Sequence, residues 1–319
     1  MSVWLPAAPC TPRACVRGTA SRTGVARAVL RLTAVAVLVL VGVALSPLGG
    51  LIPAGAVRRW SRTVVRAAGV RVRVTGASAP AAGGVLLVAN HISWLDVPLL
   101  AGVRPARMLA KAEIRRWPVA GALAARGGVL FIDRDRLRAL PATVERITQV
   151  LRSGRAVAVF PEGSTWCGRA QGHFRRAVFQ AALDAGAQVQ PVRIGYRDDG
   201  GSVSTAAAFV GDDSLLASLW RVASTRGLVA EVEVLTALAA DGHPDRRTLA
   251  AAAGAGVLDA PRERPPSEPA APATVRHGPR GPRRAVAGGG RGGGRRRTAA
   301  RRQPAVGAIP GNTVTAAPS

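Results

Sequence analysis

The chain has 319 residues, with 44 basic side chains against 18 acidic ones and a formal net charge of +26. Every basic residue except Lys111 is an arginine, so the surface seeks polyanions: anionic lipid, phosphorylated ligands or nucleic acid. Aromatic content is 4% and no RNA-recognition, zinc-finger or helix-turn-helix signature occurs, which makes nucleic acid the weakest of the three.

Residues 1–31 read as a polar leader. It holds Cys10 and Cys15, which with Cys167 are the only cysteines. The three match no metal-ligand spacing and make no disulfide framework, so Cys10 and Cys15 are expected to be free thiols in a disordered segment. Leu32 to Val57 then runs without a charged side chain, between Arg27 and Arg31 on one side and Arg58, Arg59 and Arg62 on the other. A bilayer-crossing helix needs about 20 apolar residues. The strongest part, Leu32 to Leu45, is shorter than that, and Pro47, Gly49, Gly50 and Pro53 interrupt the remainder. A spanning helix, an embedded helix with a bent return and an interfacial anchor all fit this pattern. Arginines on both flanks leave the orientation open. Membrane attachment is expected in each case.

From residue 58 to 254, short apolar runs alternate with longer amphipathic ones. Trp60 to Ala68 is amphipathic and precedes the strand-like Val70 to Val74. Buried strands are predicted at Val85–Ala89, Val129–Ile132, Ala156–Phe160 and Val189–Ile194. Leu137, Leu140, Val144, Ile147 and Leu151 recur at helical spacing, and Gly154 is the stop. A second helix is expected from Arg175 to Ala185, ended by Gly186. Strands alternating with helices predict an α/β fold with a mostly parallel central sheet flanked by helices, preceded by a membrane-associated helix. Residues 255–319 form an Arg/Gly/Pro-rich tail. From 259 onward it carries twelve arginines against three acidic residues, a net of +9, and too few large apolar side chains to offset the entropy of ordering.

Four short motifs punctuate the middle segment: Asn90-His91-Ile92-Ser93-Trp94-Leu95-Asp96, Gly128 to Arg134, Phe160-Pro161-Glu162-Gly163-Ser164 and Gln190-Pro191-Val192. Each lies at or just beyond the end of a predicted strand, and open α/β sheets bind ligands outside the carboxyl ends of their strands. The four therefore converge on one sheet edge. A neutral imidazole suits removal of a hydroxyl proton at neutral pH, and a carboxylate on its other nitrogen fixes the tautomer. Residues five apart on an ideal helix point roughly 140° apart. His91 is thus placed in the strand-to-helix turn and Asp96 in the first helical turn. The competing reading is a Ser93-x-x-Asp96 capping arrangement.

In this order and spacing, the motifs resemble the glycerolipid acyltransferase family, whose signature is Asn-His, four residues and Asp. The resemblance covers roughly residues 58 to 250. It implies transfer of a fatty acyl group from acyl-CoA or acyl-carrier protein to the hydroxyl of a lysolipid. The acceptor first in line is 1-acyl-sn-glycerol-3-phosphate, and lyso-ornithine lipid is the alternative, with a non-catalytic lipid-binding protein on the same fold as a rival. His91 and Asp96 would be catalytic, with no acyl-enzyme, no metal and no cofactor beyond the thioester co-substrate. Arg134, Glu162 and Gly163 would hold the acceptor headgroup, Glu162 by orienting Arg134 or a glycerol hydroxyl, and the last motif would line the acyl or acceptor pocket, although a strand end with a buried proline gives the same residues. Lys111, Glu113 and Trp117 to Gly121 support the alignment. One departure stands out: Ser164-Thr165-Trp166-Cys167 comes after Glu-Gly where phosphatidate-forming members carry Thr-Arg-Ser. Either a phosphate ligand is lost there, or Arg169 or Arg175 replaces it; Arg175, in Phe174-Arg175-Arg176-Ala177, stands where the resemblance implies a basic residue. The implied location is the cell membrane, with the catalytic domain facing the cytoplasm and its basic surface on anionic lipid.

Overall fold

A computed structural model of the chain describes residues 8–17, 24–48, 51–78, 83–113, 121, 128–133 and 136–258. The N-terminal residues open with a single helical turn, α1 (Pro12–Cys15), capped by the Thr11 hydroxyl, which accepts from the Ala14 N–H. The long apolar helix α2 (Val25–Leu45) comes next and continues into a 3-10 turn at Ser46–Leu48. It starts seven residues earlier than the uncharged stretch, because nothing between Gly24 and Leu45 breaks a helix and two arginines at one end are tolerated. Helix α3 (Ala54–Ala67) returns from it.

Among the described residues, eight strands build the sheet: β1 (Arg71–Gly76), β2 (Val85–Ala89), β3 (Arg107–Lys111), β4 (Leu130–Ile132), β5 (Ala156–Val159), β6 (Gln188–Arg197), β7 (Val229–Val234) and β8 (Leu238–Ala239). Their order is β1-β7-β6-β2-β5-β3-β4, with β8 beside the first residues of β6. Strands β6, β2, β5, β3 and β4 run parallel, whereas β7 and β8 oppose β6 and β1 runs with β7. The mostly parallel sheet expected from the alternation is present. Strands β3, β7 and β8 were not among the expected ones, and the last two make one end of the sheet antiparallel.

Helices α4 (Asp96–Val103), α5 (Leu140–Arg152), α6 (Ala177–Ala185), α7 (Leu215–Ser224) and α8 (Arg246–Leu258) complete the fold. The core lies on both faces of the sheet. Val85, Leu87 and Ala89 face one cluster with Val65, Leu95 and Leu100, while Leu86 and Val88 face another with Ile147, Phe179 and Leu249. Burial on both faces is why β2 reads as an unbroken apolar run and not as an alternation. Gly154 and Gly186 end α5 and α6 with positive φ, 74° and 58°, a conformation that costs glycine nothing. Helix α8 continues four residues past 254, burying Val257.

The leader departs furthest from expectation. Residues 8–17 pack on the domain: Cys10 is buried in the core cluster, and the Arg17 N–H donates to the Thr205 hydroxyl at 3.1 Å. Helix α2 is also tied down. One Arg31 guanidinium nitrogen donates to the carbonyls of Ala223 and Thr225, both at 2.8 Å, satisfying the carbonyl end of α7. The Trp60 indole N–H reaches the Leu38 carbonyl at 3.2 Å.

Candidate active site

The site begins where β2 ends. Asn90 continues the β2–β6 pairing with its side chain: its amide nitrogen donates to the Ile194 carbonyl and its amide oxygen accepts the Ile194 N–H, both at 2.8 Å. The chain then leaves the sheet at His91 and enters α4 at Asp96. The imidazole Nδ1 lies 2.9 Å from Asp96 Oδ2. The turn expected between strand and helix does bring the pair together.

Asp96 is fully buried, and a buried carboxylate is tolerable only when its lone pairs are used. Here four donors meet it. Oδ2 accepts Nδ1–H of His91 and the N–H groups of Ile92 and Ser93, the latter two at 2.7 and 2.8 Å. Oδ1 accepts the Tyr196 hydroxyl at 2.6 Å. The bond to Ser93 N–H is half of a capping box, so the capping geometry and the His–Asp pair coexist. Burial, then the adjacent Asp96 charge, hold the Tyr196 phenol well above its ordinary range. It stays protonated and keeps donating. With Nδ1–H committed to Asp96, Nε2 carries the lone pair. The His91 side chain is 23% exposed and lines the groove above the sheet, so the pair has a sealed carboxylate and an accessible base.

His91 is held from two further sides. Its ring stacks on Phe160, with centroids 3.9 Å apart and planes inclined by 11°. Its peptide N–H donates to Glu162 Oε2 at 2.7 Å, while Glu162 Oε1 accepts the Gly172 N–H at 2.8 Å. Its carbonyl accepts the Trp166 N–H at 2.8 Å. Burial pushes the Glu162 carboxyl above its ordinary value, against these two backbone N–H groups, which favour the charged form.

Two expectations for the third motif change accordingly. Glu162, placed by sequence with the acceptor headgroup, is buried beneath the His91 peptide because its carboxylate is the partner of two loop N–H groups. Gly163 has φ 77° and lines the groove, but its N–H closes a turn on the Phe160 carbonyl at 3.1 Å instead of pointing at a ligand. Arg175 is exposed on the groove wall, its own N–H bonded to the Pro161 carbonyl at 3.0 Å. Lys111 and Glu113 line the same groove. Arg134 and Trp117 to Ala120 lie outside the described residues.

The fourth motif does not line the groove. Gln190, Pro191 and Val192 pair with Leu87, Val88 and Ala89 inside the sheet, and the buried Gln190 amide donates to the Leu235 carbonyl. Both faces of the sheet are covered there, so all three residues are buried. The motif instead carries the strand that delivers Tyr196. Sequence reasoning passed over Tyr196 and Phe160; the only signal for the former is that it is the single tyrosine of the chain.

The groove is lined by His91, Gly163 and Ser164 and, over its mostly apolar extent, by Trp60, Val64, Trp94, Val97 and Trp220, with Lys111, Glu113 and Arg175 among its charged lining. A His–Asp pair with a buried carboxylate and an accessible imidazole beside a mostly apolar groove suits removal of a proton from an amphiphile. The acyltransferase family profile matches residues 71–195. The chain is 41% identical over 194 residues to a lyso-ornithine lipid O-acyltransferase of Pseudomonas aeruginosa, covering 60% of this chain and 73% of that protein.

The chain belongs to the acyltransferase family.

A 1-acyl-sn-glycerol-3-phosphate acyltransferase of Neisseria meningitidis is 34% identical over 194 residues, 61% of this chain and 76% of its own length. The crystal structure of the 1-acyl-sn-glycerophosphate acyltransferase PlsC from Thermotoga maritima superposes with a TM-score of 0.58 at 19% identity, over 76% of this chain and 98% of that one. At that identity the likeness is one of fold. Within this acyltransferase fold, the His91–Asp96 pair occupies the carboxyl end of a central parallel strand, where the first and third motifs meet.

Proposed function

We propose that this acyltransferase moves a fatty acyl group from a thioester, acyl-CoA or acyl-carrier protein, to the free hydroxyl of a lysolipid. The observation that carries the reading is the His91–Asp96 pair at 2.9 Å beside a mostly apolar groove. His91 Nε2 takes the hydroxyl proton as the oxygen attacks the thioester carbonyl, and Asp96 stabilises the imidazolium. The tetrahedral adduct collapses with loss of the thiolate, which accepts the proton held by His91. No acyl-enzyme forms. Glu162 acts as a positioning residue through the His91 peptide, and Arg175 holds the acceptor headgroup, with Arg134 its expected partner from the second motif.

The acceptor we place first is 1-acyl-sn-glycerol-3-phosphate, whose phosphate suits the guanidinium at the groove wall. Lyso-ornithine lipid is the second reading. Ser164-Thr165-Trp166 in place of Thr-Arg-Ser favours it, as does the 41%-identical relative named for that acceptor.

Helix α2 with its 3-10 turn is long and apolar enough to cross a membrane. We place it along one leaflet, with the leader and the catalytic domain on the same, cytoplasmic side. Residues 8–17 contact the domain, and the exposed Leu48, Leu51, Val97, Leu216 and Trp220 extend the apolar surface of α2. The four arginines of α3 suit anionic headgroups.

The deciding experiment measures thioester consumption by the purified chain with acyl-CoA or acyl-carrier protein and each lysolipid, beside His91→Ala. Turnover that vanishes in the variant is expected, and the preferred acceptor separates the two readings. No turnover with any donor and acceptor would leave a binding protein on this fold.

A further inference from the structure

Three sulfurs from distant parts of the chain meet behind the catalytic loop. The Sγ atoms of Cys10, Cys15 and Cys167 all lie within 4.8 Å of one another. Cys10 and Cys167 are buried and Cys15 is partly exposed. The arrangement is held from each side. Thr11 caps the α1 turn between the two leader cysteines, its carbonyl accepting the Cys15 N–H at 3.0 Å. The Arg17 N–H bonded to Thr205 pins the leader to the domain. On the other side, Cys167 is buried in the core cluster that also holds Cys10 and Ile92.

The dimensions suit an ion. Sulfur ligands about 2.3 Å from zinc stand roughly 3.8 Å apart around a tetrahedron, so a small contraction of this cluster is enough. All three donors are soft sulfurs, which select thiophilic ions over magnesium or calcium. The spacing of the leader cysteines gave no hint of this, because the third ligand comes from the far side of the domain.

We propose that Cys10, Cys15 and Cys167 form a three-thiolate site for one zinc(II) ion, fastening the N-terminal leader to the loop after β5 that is bonded to the His91 backbone. On binding, the three thiols release three protons, three Zn–S bonds form, and a water molecule takes the fourth position. Trp166, next to Cys167, donates its N–H to the His91 carbonyl at 2.8 Å, so the ion stiffens the segment against which His91 is set.

The test uses the full chain in detergent, reduced and stripped of metal, titrated with zinc(II) against a chromophoric chelator while reactive thiols are counted. One ion per chain and protection of three thiols are expected, and cobalt(II) should give a sulfur-to-metal charge-transfer band. Cys15→Ser and Cys167→Ser should each weaken binding by more than the roughly 10–100-fold that loss of an outer-shell partner costs. Cys15 is the least buried of the three, so its variant keeps the test valid should Cys167→Ser fail to fold. Zinc should also slow tryptic cleavage after Arg13 and Arg17 in the wild type and not in Cys15→Ser. Absence of the cobalt band at stoichiometric metal, or unchanged affinity in Cys15→Ser, would overturn the site. So would a Cys10–Cys15 disulfide that forms under mild oxidant equally fast with and without zinc.

Discussion

At the scale of single residues, the site is organised around one carboxylate and the four donors that surround it. Tyr196 supplies the only side-chain hydroxyl among them, and its raised phenol pKa keeps it a donor. Tyr196→Phe should cost about 1.5–3 kcal/mol of stability, the range for hydrogen bonds to charged groups. It should also leave Asp96 with more unshared negative charge facing the imidazole. With the carboxylate held less firmly against the imidazole, kcat/KM of the folded fraction should fall. Lost stability with an unchanged kcat/KM would make Tyr196 a packing residue only. Glu162 offers a second check. Its folded-state pKa is raised, so its contribution to stability is fully present below the ordinary carboxylate value of about 4.3 and is lost as pH rises through the folded value. Glu162→Gln sets an amide NH2 against one of two backbone N–H groups and should cost about 1–3 kcal/mol. It also removes the titration. Urea midpoints should therefore show the wild-type advantage largest at low pH and shrinking as pH rises; a constant difference would refute the burial argument.

At the scale of elements, the sheet edge exists because β2 and β6 stay in register to the end of β2. Asn90 enforces this by acting as one more peptide unit toward Ile194. Asn90→Ala leaves both groups of Ile194 on that side without partners, a loss of about 2–6 kcal/mol at 1–3 for each buried group. Denaturant unfolding should show that loss. Residual activity of the folded fraction should fall as well, since Tyr196 lies two residues further along the same strand. The same element scale explains what could be read in advance. Strands β2 and β5 and the start of β6 are buried on both faces and were legible as apolar runs. Gly154 and Gly186 marked their helix ends because only glycine sits easily at those angles. Strand β7 alternates Glu231 and Glu233 with valines, and its glutamates face Arg197 and Arg193 of β6. Its period-2 signal was present but sits between segments with no motif. The reach of Glu162 to His91, of Tyr196 to Asp96 and of Cys167 to Cys10 was not legible, since no local pattern encodes a contact made by strand order.

At the scale of the whole molecule, the question is what a 21-residue apolar helix does beside a folded domain. At 1.5 Å per residue α2 is about 31 Å long, enough to cross a hydrocarbon core of about 30 Å. Were it to span, the leader would stand on the far side of the bilayer from the catalytic groove. The contacts of residues 8–17 argue otherwise: Cys10 sits in the domain core and Arg17 is bonded to Thr205. Arg31 closes the carbonyl end of α7, and Trp60 of α3 holds Leu38 midway along α2. Such a helix is held to the domain at Arg31 and Leu38, and its outer face, with Val29, Val37, Leu40 and Leu45, is exposed. An epitope fused before Met1 and another fused after Ser319 should accordingly be reached by protease from the same side of sealed vesicles. Protection of one epitope while the other is cleaved would mean that α2 crosses the membrane, and that the leader contacts form only before insertion.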